Sequence, residues 1–131
     1  MASERDLAQQ LLRLARDDEA AARAMLDVGA VTDAIVGFHA QQAVEKALKA
    51  VLAFRGVEVP FTHDLAGLAD RCAAEGAPLP SSLVEIDRLT PFGVRLRYGE
   101  LDEMVPVARG LALGWAEQAI AWADEVLDGA G

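Results

Sequence analysis

The sequence predicts an all-α fold, an up-and-down bundle of four or five helices forming one domain over residues 1–131, and three observations predict it. Alanine supplies 26 of the 131 residues; it is the best helix former and a poor core filler, so its excess favours helices packed at short range. Aromatic residues make up only 5% and runs of Val, Ile and Thr are scarce, which argues against a β-sandwich or barrel. Apolar residues recur at helical spacing through three long segments. The length suits a single domain on the usual scale of roughly 100–200 residues, and it suffices for one buried core.

Each element follows in order. Ser3 caps a first helix from Glu4 to Val28, with Leu7, Leu11, Leu14, Ala22 and Met25 on one face, Asp18 interrupting that face, and Gly29 stopping it. Thr32 and Asp33 open a second helix reaching Arg55, where Val36, Ala40, Ala43, Ala47 and Val51 form a stripe widened by Val44, Leu48 and Leu52. Gly56 stands where a C-terminal cap belongs. The short connection between these two helices predicts an antiparallel hairpin. Residues 57–62 read as extended loop because Pro60 interrupts them. Thr62 or Asp64 caps a third helix bearing Leu65, Leu68, Ala69 and Cys72, ended by Gly76. Pro78 and Pro80 stiffen a connector, and Ser82 with Glu85 predicts a capping box for a fourth helix broken by Pro91 and Gly93. Val94 to Glu103 reads as irregular. Pro106 suits the first turn of a last helix whose apolar face carries Val107, Leu111, Trp115, Ala119, Trp122 and Val126. Gly110 and Gly114 within it predict a close helix approach.

Lys and Arg total 12 against 21 Asp and Glu, a net charge of -9. Such a balance disfavours non-specific duplex binding, which needs a basic surface. One cysteine permits no internal disulfide, and Met1–Asp6 has no apolar run of a secretion signal; cytoplasmic location and no membrane association are the expectations. Two histidines and one cysteine cannot assemble a Cys/His zinc set, so no metal is expected, and no cofactor loop is written in the chain. Cys72, on an apolar stripe, reads as an inert core thiol. His39, Gln42 and Lys46 or Lys49 share a polar edge of the second helix, with Glu45 and Lys49 a favourable i,i+4 pair. His63, between Thr62 and Asp64, reads as part of a helix cap. Arg88, Arg95 and Arg97, interleaved with Phe92 and Tyr98, reverse the sign of charge locally. Guanidinium groups grip phosphates bidentately and a tyrosine ring can stack on a base. Arg95, Arg97, Tyr98, His39, Lys46 and Lys49 are therefore the candidate ligand-binding residues; in extended backbone, positions 95 and 97 would face one way.

Phe38-His39-Ala40-Gln41-Gln42-Ala43-Val44-Glu45-Lys46-Ala47-Leu48-Lys49-Ala50 resembles the second helix of the HEPN (higher eukaryotes and prokaryotes nucleotide-binding) family. Pro60-Phe61-Thr62-His63-Asp64-Leu65 is similar to that family's P-x-T-H-D/S-L helix start. Arg95-Leu96-Arg97-Tyr98-Gly99 resembles its arginine-tyrosine-proline segment, with Gly99 in place of proline. The resemblance spans Leu7 to Leu127. It implies a helical bundle, often a homodimer, commonly partnered by a minimal nucleotidyltransferase in toxin–antitoxin or defence pairs, with nucleotide or RNA as ligand. Ribonucleases of the family carry R-x4–6-H. Here Arg55 and His63 are separated by seven residues, and the windows after Arg95 and Arg97 hold Glu100, Leu101, Asp102, Glu103 and Met104. No group titrating near neutrality stands there to move a proton. A non-catalytic or weakly active module with no catalytic residue is the expectation. The alternatives are a ribonuclease toxin with a divergent site built on His39, Arg97 and Tyr98, and a ligand-free structural dimer; a homodimer is expected in any case from the apolar surface of Trp115, Trp122 and the alanine-rich helix faces.

Overall fold

The computed structural model describes residues 3–98 and 105–129, with the backbone alone at 95–98. Five α-helices follow one another: α1 (Glu4–Met25), α2 (Asp33–Phe54), α3 (Leu65–Ala74), α4 (Thr90–Tyr98) and α5 (Arg109–Gly129). No strand occurs among the described residues.

Helix α2 is the axis of the bundle. Thirteen of its residues are buried, including the whole predicted stripe, because α1, α3, α4 and α5 all pack on it. A helix covered on nearly every side needs apolar residues almost all round. Helix α1 starts at Ser3, whose hydroxyl accepts the Asp6 N–H while the Asp6 carboxylate accepts the Ser3 N–H. It runs antiparallel to α2: Glu4 lies beside Gly56, and Asp18 reaches His39 and Lys46. Helix α5 runs antiparallel to α1, with Arg5 donating to the Leu127 carbonyl at one end and Arg109 meeting Met25 at the other. The return from α2 passes through residues 57–64 alongside α2 and brings His63 level with Glu45.

The apolar register of α1 differs from the predicted one. Ala8, Leu12, Ala15 and Ala22 are buried, whereas Leu7 and Leu14 are 42% and 44% exposed. Ala8 and Ala15, with Leu12, share one core with Ala40, Ala43 and Ala47 of α2, and Ala22 joins Val36 in a smaller one. Alanine on both sides shortens the interaxial distance and pushes the leucines to the flanks. In α5, Trp115 and Trp122 are buried as predicted, while Leu111 is exposed. The two tryptophans therefore provide no free surface for a dimer.

The predicted fourth helix is corrected. Its residues form two short 3-10 turns, Ser81–Leu83 and Ile86–Leu89, without a side-chain cap at Ser82, and α4 begins at Thr90. Pro91 lacks the N–H that would bond the Asp87 carbonyl, so a continuous helix cannot pass it; in the first turn of a new helix the missing donor costs nothing. The backbone at 94–98 is helical and not irregular. Positions 95 and 97 thus lose the common side that extended chain would give them; their side chains, with Tyr98, lie outside the described residues.

Gly37 and Gly93 set how closely α4 approaches α2. A Cβ at Gly93 would fall 2.7 Å from Gln41 Nε2, and one at Gly37 the same distance from Phe92 Cδ1. Gly93 therefore seats α4 and does not break it. At Gly110 and Gly114 nothing lies within 4 Å among the described residues, so the close approach predicted there is not made by any of them. Helix α5 begins at Arg109, beyond Pro106. The Arg109 guanidinium donates to the carbonyls of Met25, Leu26, Val28 and Val31 and to Asp33, closing the C-terminal end of α1 and the loop after it.

Two substitutions separate these roles. Gly93→Ala should lower stability by about 1–3 kcal/mol, because the new methyl overpacks a buried side chain. Gly114→Ala should raise it by about 0.5–1 kcal/mol, since only helix propensity changes. Urea unfolding of both variants checks the pair. Equal effects would contradict the close approach at Gly93.

Candidate functional site

The polar groups of α2 collect in two clusters, each built around one carboxylate. In the first, Asp18 of α1 holds His39 Nδ1 at 3.0 Å and Lys46 Nζ at 2.5 Å, with its side chain 14% exposed. His39 and Lys46 are seven apart, two turns of one face, so a single carboxylate spans both. The Phe38 ring meets the His39 ring edge-on at 5.3 Å.

The second cluster lies deeper. Glu45 is buried, and three groups serve its oxygens: Gln41 Nε2 donates to Oε1 at 3.0 Å, His63 Nδ1 lies 2.7 Å from Oε1, and Lys49 Nζ donates to Oε2 at 2.9 Å. Gln41 also reaches the His63 carbonyl, and Gln42 Nε2 donates to Gln41 Oε1 at 2.7 Å. Residues 41, 45 and 49 are spaced at i,i+4, so they line one edge of α2, roofed by Gly93 and flanked by the 57–64 loop. Burial is the largest influence on the Glu45 carboxyl and pushes its pKa up. The hydrogen bonds from Gln41, Lys49 and His63, together with the Lys49 charge, act the other way and win, leaving it below the ordinary 4.5.

The two clusters place the sequence-predicted residues as follows. His39 and Lys46 are held by Asp18, and Lys49 by Glu45; they sit on different sides of α2. His39 and Glu45, six residues apart, are separated by ~9 Å along the axis and by roughly a third of a turn. His63 does not cap α3. Leu65 N–H donates to Thr90 Oγ1 and Ala66 N–H to Asp87 Oδ1, so the cap comes from another element. Arg88 stacks over Trp115 at 5.5 Å and pairs with Glu85 at 3.8 Å. Cys72 is buried with its thiol against the Leu48 carbonyl, and burial raises its pKa to about 12; it remains an unreactive thiol. Among the described residues no three His, Cys, Asp or Glu side chains gather as metal ligands would, and no helix is long and apolar enough to cross a membrane.

Asp18, Gln41 and the pairing of Glu45 with His63 are absent from the sequence-derived site. One of them left a signal: a lone Asp in the apolar face of α1 must find a cation where it is buried. Gln41 and the Glu45–His63 pair left none, because only the return of the 57–64 loop brings them together.

Removing the Glu45 carboxylate strands Lys49 and breaks three bonds at once. Glu45→Ala should therefore cost about 3–5 kcal/mol. The folded carboxyl is more acidic than the unfolded one, so its contribution is complete above pH 4.5 and is lost as pH falls below it. The gap in melting temperature between wild type and Glu45→Gln should narrow from pH 6 to pH 3. A constant gap would mean that the ionised carboxylate adds nothing.

Comparison with known proteins places this arrangement. The HEPN domain family matches residues 8–129. A solved structure, TT1696 from Thermus thermophilus, is 31% identical, covers 92% of this chain and 93% of its own, and superposes with a TM-score of 0.59. No curated protein matches. The family match takes in every helix except the first turn of α1, and the related structure repeats the fold. The chain belongs to the HEPN domain family.

Proposed function

We propose that this HEPN domain is a non-catalytic or weakly active binding module, the partner of a minimal nucleotidyltransferase in a toxin–antitoxin or defence pair, acting as a homodimer in the cytoplasm. The observation that carries this reading is the commitment of both histidines. Each has Nδ1 on a carboxylate of its own chain, His39 on Asp18 and His63 on Glu45, and the two pairs lie on different sides of α2. Phosphodiester cleavage without a metal needs an acid and a base converging on one phosphate, and one chain does not offer that pair. The absence of the R-x4–6-H spacing supports the same conclusion. Lys46 and Lys49 are each neutralised by a carboxylate, so an incoming nucleotide or RNA phosphate depends on Arg95, Arg97 and Tyr98 for its contacts. The exposed Leu7 and Leu14, one face of α1, are the apolar surface offered to a second copy.

A divergent ribonuclease is the second reading, and one observation favours it. An imidazole oriented through Nδ1 by a carboxylate, as His39 is by Asp18, leaves Nε2 as a general base. One experiment separates the two. Purified protein incubated with single-stranded RNA should give no turnover, while calorimetry with the nucleotidyltransferase encoded beside it should give a complex weakened in Arg95→Ala/Arg97→Ala without loss of melting temperature. RNA cleavage that disappears in His39→Ala would establish the ribonuclease instead. An unchanged affinity in the double variant would move the binding locus elsewhere.

A further inference from the structure

Charge is distributed unevenly over this acidic chain. On α1, α2 and α5 six of the eleven carboxylates meet a cation: Asp18 meets Lys46, Glu19 and Glu117 meet Arg23, Asp33 meets Arg109, Glu45 meets Lys49, and Asp124 meets Arg16. Residues 57–87 differ, with six acidic residues and one basic one, Arg71. Among the described residues, Asp70, Glu75 and Asp87 have no Lys or Arg within ion-pair distance, and Glu85 has only the long contact to Arg88.

An apolar groove runs through this acidic side. It has a volume of about 310 Å³, at the low end of the ~300–1,000 Å³ typical of ligand pockets. One wall is the outer face of α3, where Ala66, Ala69 and Ala73 stand at i, i+3 and i+7; the other is formed by Leu83, Val84 and Ile86. Val84 is 80% exposed, an apolar side chain left in water by this chain alone. Asp70 and Asp87 belong to the same lining.

We propose that this groove docks a basic amphipathic helix of a partner protein. The alanine face of α3 lets a second helix backbone approach closely, and the apolar walls receive one stripe of that helix at i, i+3, i+4, i+7. The carboxylates of Asp70 and Asp87 then meet Lys or Arg beside the stripe, which fixes orientation and speeds encounter with a basic partner. The same carboxylates repel nucleic acid. The groove lies apart from the two α2 clusters, and its occupancy is independent of the proposed function.

A fluorescent synthetic helix of about 18 residues, five turns, with a leucine stripe flanked by lysines, is the probe, titrated by anisotropy against the full chain. Saturable binding is expected. It should weaken about ten-fold or more in Ala73→Trp, which fills the groove without changing charge, and in Asp70→Lys. It should be unchanged in Glu125→Lys, which makes the same charge reversal at an exposed position of α5. A scrambled peptide of equal composition should bind at least about ten-fold more weakly. Melting curves verify that each variant folds. Equal binding of the scrambled peptide, or no loss in Ala73→Trp, would reduce the contact to bulk electrostatics and overturn the proposal. A sedimentation mass that falls from dimer to monomer in Ala73→Trp would overturn it as well, by assigning the groove to a second copy of this chain.

Discussion

Everything in this bundle is arranged around a buried carboxylate on its most buried helix. Placing Glu45 in the middle of α2 carries a desolvation penalty that no surface pair incurs, and the fold offsets it with three donors from two directions. Gln41 and Lys49 come from one turn on either side. His63 comes from a loop that must travel back along α2 to arrive. The loop's path, the start of α3 immediately after it, and the seating of α4 over Gln41 follow from satisfying one side chain.

Distance is the second constraint, and small residues enforce it. Alanine faces alanine between α1 and α2, and glycine meets a side chain twice between α2 and α4. At such separations a single methyl is felt, because protein interiors are packed as densely as molecular crystals. Elsewhere on the bundle the chain is permissive: Gly110 and Gly114 of α5 have no neighbour within 4 Å among the described residues. Identical residue types thus carry opposite weight depending on what the tertiary fold brings against them.

The same constraint divides what is legible in the sequence from what is not. The long helices α1, α2 and α5 are legible because periodicity and caps are local: Ser3, Thr32 and Gly56 do what their types predict. The register of α1 is not legible, since hydrophobicity ranks leucine over alanine while close packing selects alanine for the seam. The segment from Ser81 to Thr90 departs from its prediction because Pro91 fits the beginning of a helix as well as the end of one, and only the packing of α4 on α2 decides. For the candidate site, the i,i+4 pairing of Glu45 with Lys49 is legible. The partnership of His39 with Asp18 is signalled by the charge interrupting α1. The Glu45–His63 pair depends on a loop whose route is not encoded locally.

Charge pairing completes the picture. The long helices are stitched by ion pairs at regular intervals, from Arg16–Asp124 through Arg23–Glu117 to Arg109–Asp33. Each exposed pair contributes little to stability, but together they fix the register of α5 against the α1–α2 hairpin, because a slip by one turn would separate all of these partners at once. Arg109 does more than its pair: at Met25 and Leu26 it meets acceptors of the kind any helix leaves bare at its C-terminal end, and at Val28 and Val31 it ties down the loop that follows. The cations of the described helices are largely used inside the molecule in this way. Carboxylates without a cation remain on α1 and α5 and are densest on the α3 side, where residues 57–87 hold six acidic residues against one basic and so account for much of the net charge of -9. An acidic protein of this construction presents an ion-paired scaffold along α1, α2 and α5 and a more sparsely paired, partly apolar face on the α3 side.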